Sequence, residues 1–207
     1  MVKAMNKKAQ KQIKGILFDL NGTLTKPGAV DINALKQEIN CPKGKSVMEY
    51  METLPTSQQK RFSKILELKE DRFAEQSFAN NGAEKCLSLL NQKGILFGIF
   101  TRNNRKAVLH VLKKFKGVRI EDFAVIVARG DARSKPSPDG VCIAANKMGI
   151  PISELMVVGD SRLDILAGKA AGALTALLAN EGRTDLLTRD PEPDFTIHTL
   201  HEILDII

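Results

Sequence analysis

Short apolar runs alternating with stretches of helical periodicity constrain this chain more than any other feature. Ile16 to Leu20, Ile95 to Phe100, Ala124 to Val127, Leu155 to Val158 and Leu174 to Leu178 read as buried strands. Between them, Ala83, Cys86, Leu87 and Leu90 recur at i, i+3, i+4 and i+7, as do Val108, Val111, Leu112 and Phe115. Each stripe ends near a glycine, Gly94 or Gly117. Strand followed by helix, repeated, predicts an α/β fold built on a parallel sheet. The last segment, residues 200–207, is expected as a closing helix.

One stretch breaks the rhythm. Residues 25–80 separate the first strand from the helix that should follow it, far too long for a bare loop. Three apolar stripes lie inside: Ile32, Leu35 and Ile39; Val47, Tyr50, Met51 and Leu54; and Phe62, Ile65, Leu66 and Phe73. The expected organisation is a basic tail over 1–14, a core domain over 15–24 and 81–207, and a small helical domain over 25–80 with a hinge at each end.

Charge and cysteine content narrow the partners. The formal net charge of +7 comes mostly from Lys3, Lys7, Lys8, Lys11 and Lys14, in a leader that holds no acid. The rest of the chain is near neutral, with 5% aromatics and no Trp, so no interleaved basic and aromatic face points to nucleic acid. No run approaches 18 apolar residues, which excludes a membrane-spanning helix. Cys41, Cys86 and Cys142 are odd in number, widely spaced and set among apolar neighbours, and are expected as reduced core thiols. A cytoplasmic protein, monomeric or weakly dimeric, is the expectation.

In a parallel sheet with right-handed crossovers, every strand presents its C-terminal end to one edge, where open α/β sheets bind ligands. The unusual polar residues fall on that edge. Asp19 closes the run Ile16-Leu17-Phe18, Thr101 follows Ile99-Phe100, Lys135 precedes Pro136 in the loop after the third strand, and Asp160 follows Val157-Val158-Gly159, with Asp164 one helical turn on. Singly, these are ordinary turn residues, helix caps or a solvated lysine. Together, three carboxylates at one edge repel each other unless a cation lies among them, and oxygen ligands suit a hard divalent ion such as Mg2+. Lys135 and Thr101 would then complete a cradle for a phosphate.

The segments Phe18-Asp19-Leu20-Asn21-Gly22-Thr23-Leu24, Thr101, Lys135-Pro136 and Gly159-Asp160-Ser161-Arg162-Leu163-Asp164 resemble the four ordered motifs of the haloacid dehalogenase-like superfamily. The likeness spans about residues 14 to 180. It implies a doubly wound, Rossmann-like core with an inserted α-helical cap, as in phosphoglycolate phosphatase-like members acting on small phosphorylated metabolites. It further implies that Asp19 is a nucleophile forming an aspartyl-phosphate, that Thr101, Lys135 and backbone N–H groups at Gly22 and Thr23 hold the phosphoryl oxygens, and that Asp19, the carbonyl of Asn21, Asp160 and Asp164 hold Mg2+.

Position 21 departs from that pattern. Active phosphatases of this family carry an aspartate there, which protonates the leaving alcohol and then activates water. An asparagine has nearly the same shape, but its amide exchanges no proton at neutral pH. A phosphatase impaired at its acid-base position, a non-catalytic protein that binds phosphorylated metabolites, and a dehalogenase or phosphonatase-type hydrolase all remain open. Three further motifs are set aside: Asn21-Gly22-Thr23 as a glycosylation acceptor, Arg129-Gly130-Asp131 as an adhesion tripeptide rather than a turn, and His198 with His201 as a metal site rather than a helix surface.

Overall fold

Every residue of the first strand, β1 (Gly15–Phe18), is buried, because β1 lies inside a sheet covered on both faces. The computed structural model describes residues 12–27, 32–43, 45, 47–179 and 190–207. The other strands are β2 (Leu96–Phe100), β3 (Val125–Val127), β4 (Leu155–Gly159), β5 (Leu174–Leu178) and β6 (Phe195–Ile197). All pair in parallel, in the order β3-β2-β1-β4-β5-β6. The chain thus builds outward from β1 to β3, then returns to the other side of β1. The crevice between β1 and β4 is the switch point of a doubly wound sheet, as expected.

The period-2 alternation of each strand splits the core into two layers. Ile16, Phe18, Met156 and Val158 face one layer together with Cys86, Leu87 and Leu90 of α4 (Ala83–Gln92) and Val108 and Val111 of α5 (Arg105–Leu112). Leu17, Leu155 and Val157 face the other, against Val141 and Ala144 of α6 (Asp139–Met148) and Ala167 of α7 (Arg162–Ala171).

Between β1 and α4 the chain forms α1 (Ile32–Glu38), α2 (Val47–Glu52) and α3 (Thr56–Gln76). Leu35, Ile39, Val47, Met51 and Leu66 make a small apolar cluster of their own. Phe73 and Ala74, farther along α3, pack instead into the layer that holds α4 and α5. Two contacts moor that end: Lys114 Nζ donates to the Ala74 carbonyl at 2.7 Å and the Glu75 carbonyl at 2.5 Å, supplying donors that the last helical turn lacks. The chain enters and leaves this segment side by side, with Thr25 bridged to Ala79, Lys26 N–H donating to the Phe78 carbonyl at 3.1 Å, and Asn80 N–H donating to the Leu24 carbonyl at 2.8 Å.

Three expectations meet the structure here, and two are corrected. The expected closing helix is present and is of the 3-10 type, over Leu200–Asp205; Leu200 and Ile203, three apart, are its buried residues. β6 has no counterpart among the expected strands: it is three residues long, at a sheet edge, and one of its residues is exposed, leaving too short an alternation to read. The cysteines form no disulfide among the described residues, but only Cys86 is a core residue, its thiol pushed up to about 12 by burial, while Cys41 is half-buried and Cys142 exposed on α6. Arg129-Gly130-Asp131 forms a turn, with Asp131 N–H donating to the Ala128 carbonyl and Gly130 at φ 93°. His198 and His201 are exposed. Residues 1–11 of the basic leader lie outside the described residues. No helix among the described residues is long and apolar enough to cross a membrane.

Candidate functional site

The sheet ladder itself delivers the polar residues. Asp19 N–H donates to the Val158 carbonyl at 2.9 Å, so the last β1–β4 hydrogen bond sets this residue at the strand end. Thr101 N–H likewise donates to the Val127 carbonyl at 3.0 Å, continuing the β2–β3 ladder by one step. Asp160 follows β4 directly across the switch point, and Asp164 lies in the first turn of α7. One carboxylate oxygen from each of Asp19, Asp160 and Asp164 falls within 4.8 Å of the others.

Lys135 arrives from the loop after β3, joined to Pro136 by a cis peptide bond. Its ammonium donates to Asp19 Oδ1 at 2.7 Å and Asp164 Oδ1 at 2.6 Å, and lies 4.8 Å from the Phe100 ring centroid. Burial would lower its pKa, but the charges of Asp164 and Asp19 overcome this and raise it, keeping the ammonium protonated. Burial pushes the Asp19 carboxyl above its usual 3.8; Lys135 opposes the rise and the negative charge of Asp164 adds to it. The ammonium thus bridges two of the three clustered carboxylates, with Asp19 the half-buried member of the three.

The oxygens of Asp164 are both engaged. Oδ1 accepts from Lys135, while Oδ2 accepts from Ser161 N–H at 3.1 Å and Ser161 Oγ at 2.5 Å, closing the start of α7. Two glycines make room. A Cβ on Gly159 would overlap the Asp164 side chain. Gly22 has φ +84°, which side chains rarely tolerate, and a Cβ there would overlap Asp160 Oδ2 and lie 2.7 Å from its Cγ. Thr23 is fully buried, and its hydroxyl has no hydrogen-bond partner among the described residues.

Asn21 is held by another side-chain amide. Its amide pairs reciprocally with that of Asn103: Asn103 Nδ2 donates to Asn21 Oδ1 at 2.8 Å, and Asn21 Nδ2 donates to Asn103 Oδ1 at 3.1 Å. Asn103 N–H in turn donates to Thr101 Oγ1 at 3.2 Å, tying position 21 to the end of β2. Asp19, Lys135, Asp160 and Asp164 are thus one cluster, Gly22 packs against it, and Asn21, Asn103 and Thr101 form a second hydrogen-bonded group on the adjoining strand ends.

Sequence reasoning missed Asn103, because amides in a loop carry no distinguishing pattern, and Arg102, an exposed cation whose charge reaches Asp19 and steadies its ionised form. The residue directly after Thr101 on the ligand-binding edge was the available signal for Arg102.

A doubly wound sheet with carboxylates and a buried lysine gathered at its switch point defines a Rossmann-like α/β protein with its polar site on the C-terminal edge. Within that class the chain belongs to the haloacid dehalogenase-like hydrolases, the family matched by residues 13–172. An uncharacterized hydrolase of Saccharomyces cerevisiae is 31% identical over 210 residues, covering 100% of this chain and 96% of the yeast protein. A phosphoglycolate phosphatase of Neisseria meningitidis is 35% identical over 127 residues, 59% of this chain and 53% of the bacterial one. The crystal structure of a hydrolase from Pseudomonas syringae superposes with a TM-score of 0.77 at 26% identity, covering 93% of this chain and 96% of that one.

Proposed function

We propose that this hydrolase acts on small phosphate monoesters, with Asp19 as the attacking nucleophile. The observation that carries the reading is the cluster itself: a half-buried carboxylate at the switch point, braced by a buried ammonium and faced by two more carboxylates. Phosphatases among the relatives support it.

A divalent cation fits these residues. The donors are all hard oxygens, three carboxylates bring one oxygen each within 4.8 Å of the others, and the wall at Gly22 leaves Asp160 room that a side chain would take. Asp19, Asp160 and the Asn21 carbonyl would hold Mg2+, with Asp164, whose oxygens are engaged by Lys135 and Ser161, supporting them. When bound, the ion would offset charge on the phosphoryl oxygens.

The chain's own residues do the rest. Asp19 attacks phosphorus, the P–O bond to the alcohol breaks, and an acyl phosphate forms that water later hydrolyses. The Lys135 ammonium and the Thr101 hydroxyl donate to phosphoryl oxygens as negative charge builds. Asn21 can neither give the leaving oxygen a proton nor take one from water. Alcohols that leave as poor anions are therefore disfavoured, and loss of phosphate from Asp19 is slow.

A second reading, a protein that binds phosphorylated metabolites without turnover, is favoured by the Asn21–Asn103 pair, which occupies both ends of the amide that stands in the acid-base position. Asn21→Asp separates the two. General acid-base catalysis contributes about 10² to 10⁴ in rate. Alkyl phosphates should gain toward the upper end of that range and nitrophenyl phosphate much less, since nitrophenolate leaves unaided. Mass spectrometry of the peptide spanning Asp19 to Thr23 must first exclude deamidation at Asn21-Gly22. Equal alkyl-to-aryl rate ratios in both proteins would refute the acid-base assignment, and an inert Asn21→Asp protein would favour the binding reading.

A further inference from the structure

Outside the lysine–aspartate cluster, Glu70 is the one charged residue buried as a whole among the described residues, 2% exposed, and it comes from α3, in the segment inserted between β1 and α4. Its partners come from two loops of the sheet edge. Oε1 accepts from Arg129 Nη1 at 2.5 Å, and Oε2 accepts from Asn104 Nδ2 at 2.5 Å and from Asn104 N–H at 3.4 Å. The Asn104 amide cannot turn over, because its Oδ1 already accepts from Ala107 N–H at 2.8 Å and caps α5. Both partners therefore present donors, and only a carboxylate satisfies both.

These contacts continue inward. Arg129 N–H donates to the Asn103 carbonyl at 2.9 Å, and the Asn103 side chain, 5% exposed, holds Asn21 in the reciprocal amide pair. The Asn103-Asn104 unit is thus gripped twice by Glu70, at Asn104 directly and at Asn103 through Arg129. Without the carboxylate, a guanidinium only 14% exposed loses its counter-charge and the Asn104 amide loses its acceptor. Relieving that burial turns Arg129 toward water and draws its main chain off the Asn103 carbonyl.

We propose that Glu70 is a positioning residue for position 21, acting through Arg129 and Asn103, so that the inserted helix α3 sets how the side chain at position 21 is held. The kinetic consequence rests on the phosphate-ester reading; the geometric one does not.

The test follows the side-chain amides of Asn21 and Asn103 by NMR hydrogen exchange in the full chain, without substrate or metal. Glu70→Gln offers one acceptor where two are needed. The double variant Glu70→Met, Arg129→Met removes the ion pair but keeps apolar bulk, a replacement that commonly preserves stability. Both should speed exchange of the two Nδ2 groups roughly tenfold, the scale of one lost hydrogen bond. Amides in β1 and β4 should be unchanged. Lys69→Met, on the same helix as Glu70 but paired at 2.9 Å with Glu38 of α1, should change nothing at Asn21. Unaltered exchange in both Glu70 variants overturns the proposal, as does uniform acceleration across the sheet, which would make Glu70 a stability anchor only. In an Asn21→Asp background, Glu70→Gln should lower kcat for an alkyl phosphate about tenfold and leave KM in place. A shift in KM alone counts against positioning. If Asn21→Asp turns over nothing, the phosphate-ester reading fails while the amide exchange still decides this one.

Discussion

Replacing Lys135 with methionine isolates its charge from its bulk. The methionine stem keeps contact with the Phe100 ring that the lysine now covers, but the two charge-assisted bonds, 2.7 Å to Asp19 and 2.6 Å to Asp164, are lost. The side chain is only 3% exposed, so solvent cannot stand in for the ammonium. Breaking a buried pair by removing one partner costs about 3 to 5 kcal/mol, because an uncompensated charge is left behind. The Lys135 pKa is raised from 10.5, so its contribution is complete throughout the neutral range and is lost as pH rises from 10.5 through the raised value. In acid the gap between variant and wild type should also close, since protonated carboxylates no longer need the cation. Urea unfolding at neutral pH in a chelator should show the full loss, and excess Mg2+ should narrow it by binding the more negative site more tightly. A loss below about 1 kcal/mol, less than a typical buried charged hydrogen bond, would refute the electrostatic account, and so would a gap indifferent to Mg2+.

Three other outcomes test separate parts of the structure. Gly22→Ala should cost about 1 kcal/mol or more from its positive φ and also weaken Mg2+ binding by displacing Asp160, so calorimetry showing undiminished Mg2+ affinity would sink the assigned geometry. Asp160→Asn should impair Mg2+ binding more than Asp164→Asn, whereas Asp164→Asn should cost more fold stability, because Lys135 and Ser161 lean on it; the reverse ranking in paired titration and melting experiments would reassign the ligands. Burial acts to raise the Asp194 carboxyl, but Lys169 and Thr175 outweigh it and hold it below 3.8, so Asp194→Asn should cost stability fully above that pH and progressively less as pH falls through the lowered value. A wild-type-minus-variant gap that stays constant into acid would show that Asp194 does not titrate as this geometry requires.

How much was legible depended on how local the signal is. Ile16-Leu17-Phe18 and Val157-Val158 announce buried strands because a strand covered on both faces needs apolar residues at successive positions. Asp19, Thr101 and Asp160 were legible for a related reason: each stands directly beyond the end of such a run, Lys135 lies in the loop that follows another, and parallel strands put all those ends on one edge. β6 was not legible, since three edge residues show too little alternation to identify a strand. Nor was the exposure of Cys142, whose apolar neighbours in sequence sit on the buried side of α6 while it does not.

By itself the sequence determined the alternation of strands and helices, the residues offered to the ligand-binding edge and the presence at position 21 of an amide that exchanges no proton at neutral pH, because periodicity and residue chemistry are carried by near neighbours in the chain. Only the tertiary structure decided that Lys135 spans Asp19 and Asp164, that Asn21 is locked to Asn103, and that Glu70 from the inserted helix grips Arg129 and Asn104. Those partners lie 29 to 116 residues apart in sequence. A hydrogen bond depends on distances of a few tenths of an ångström, which only the packed sheet and helices supply.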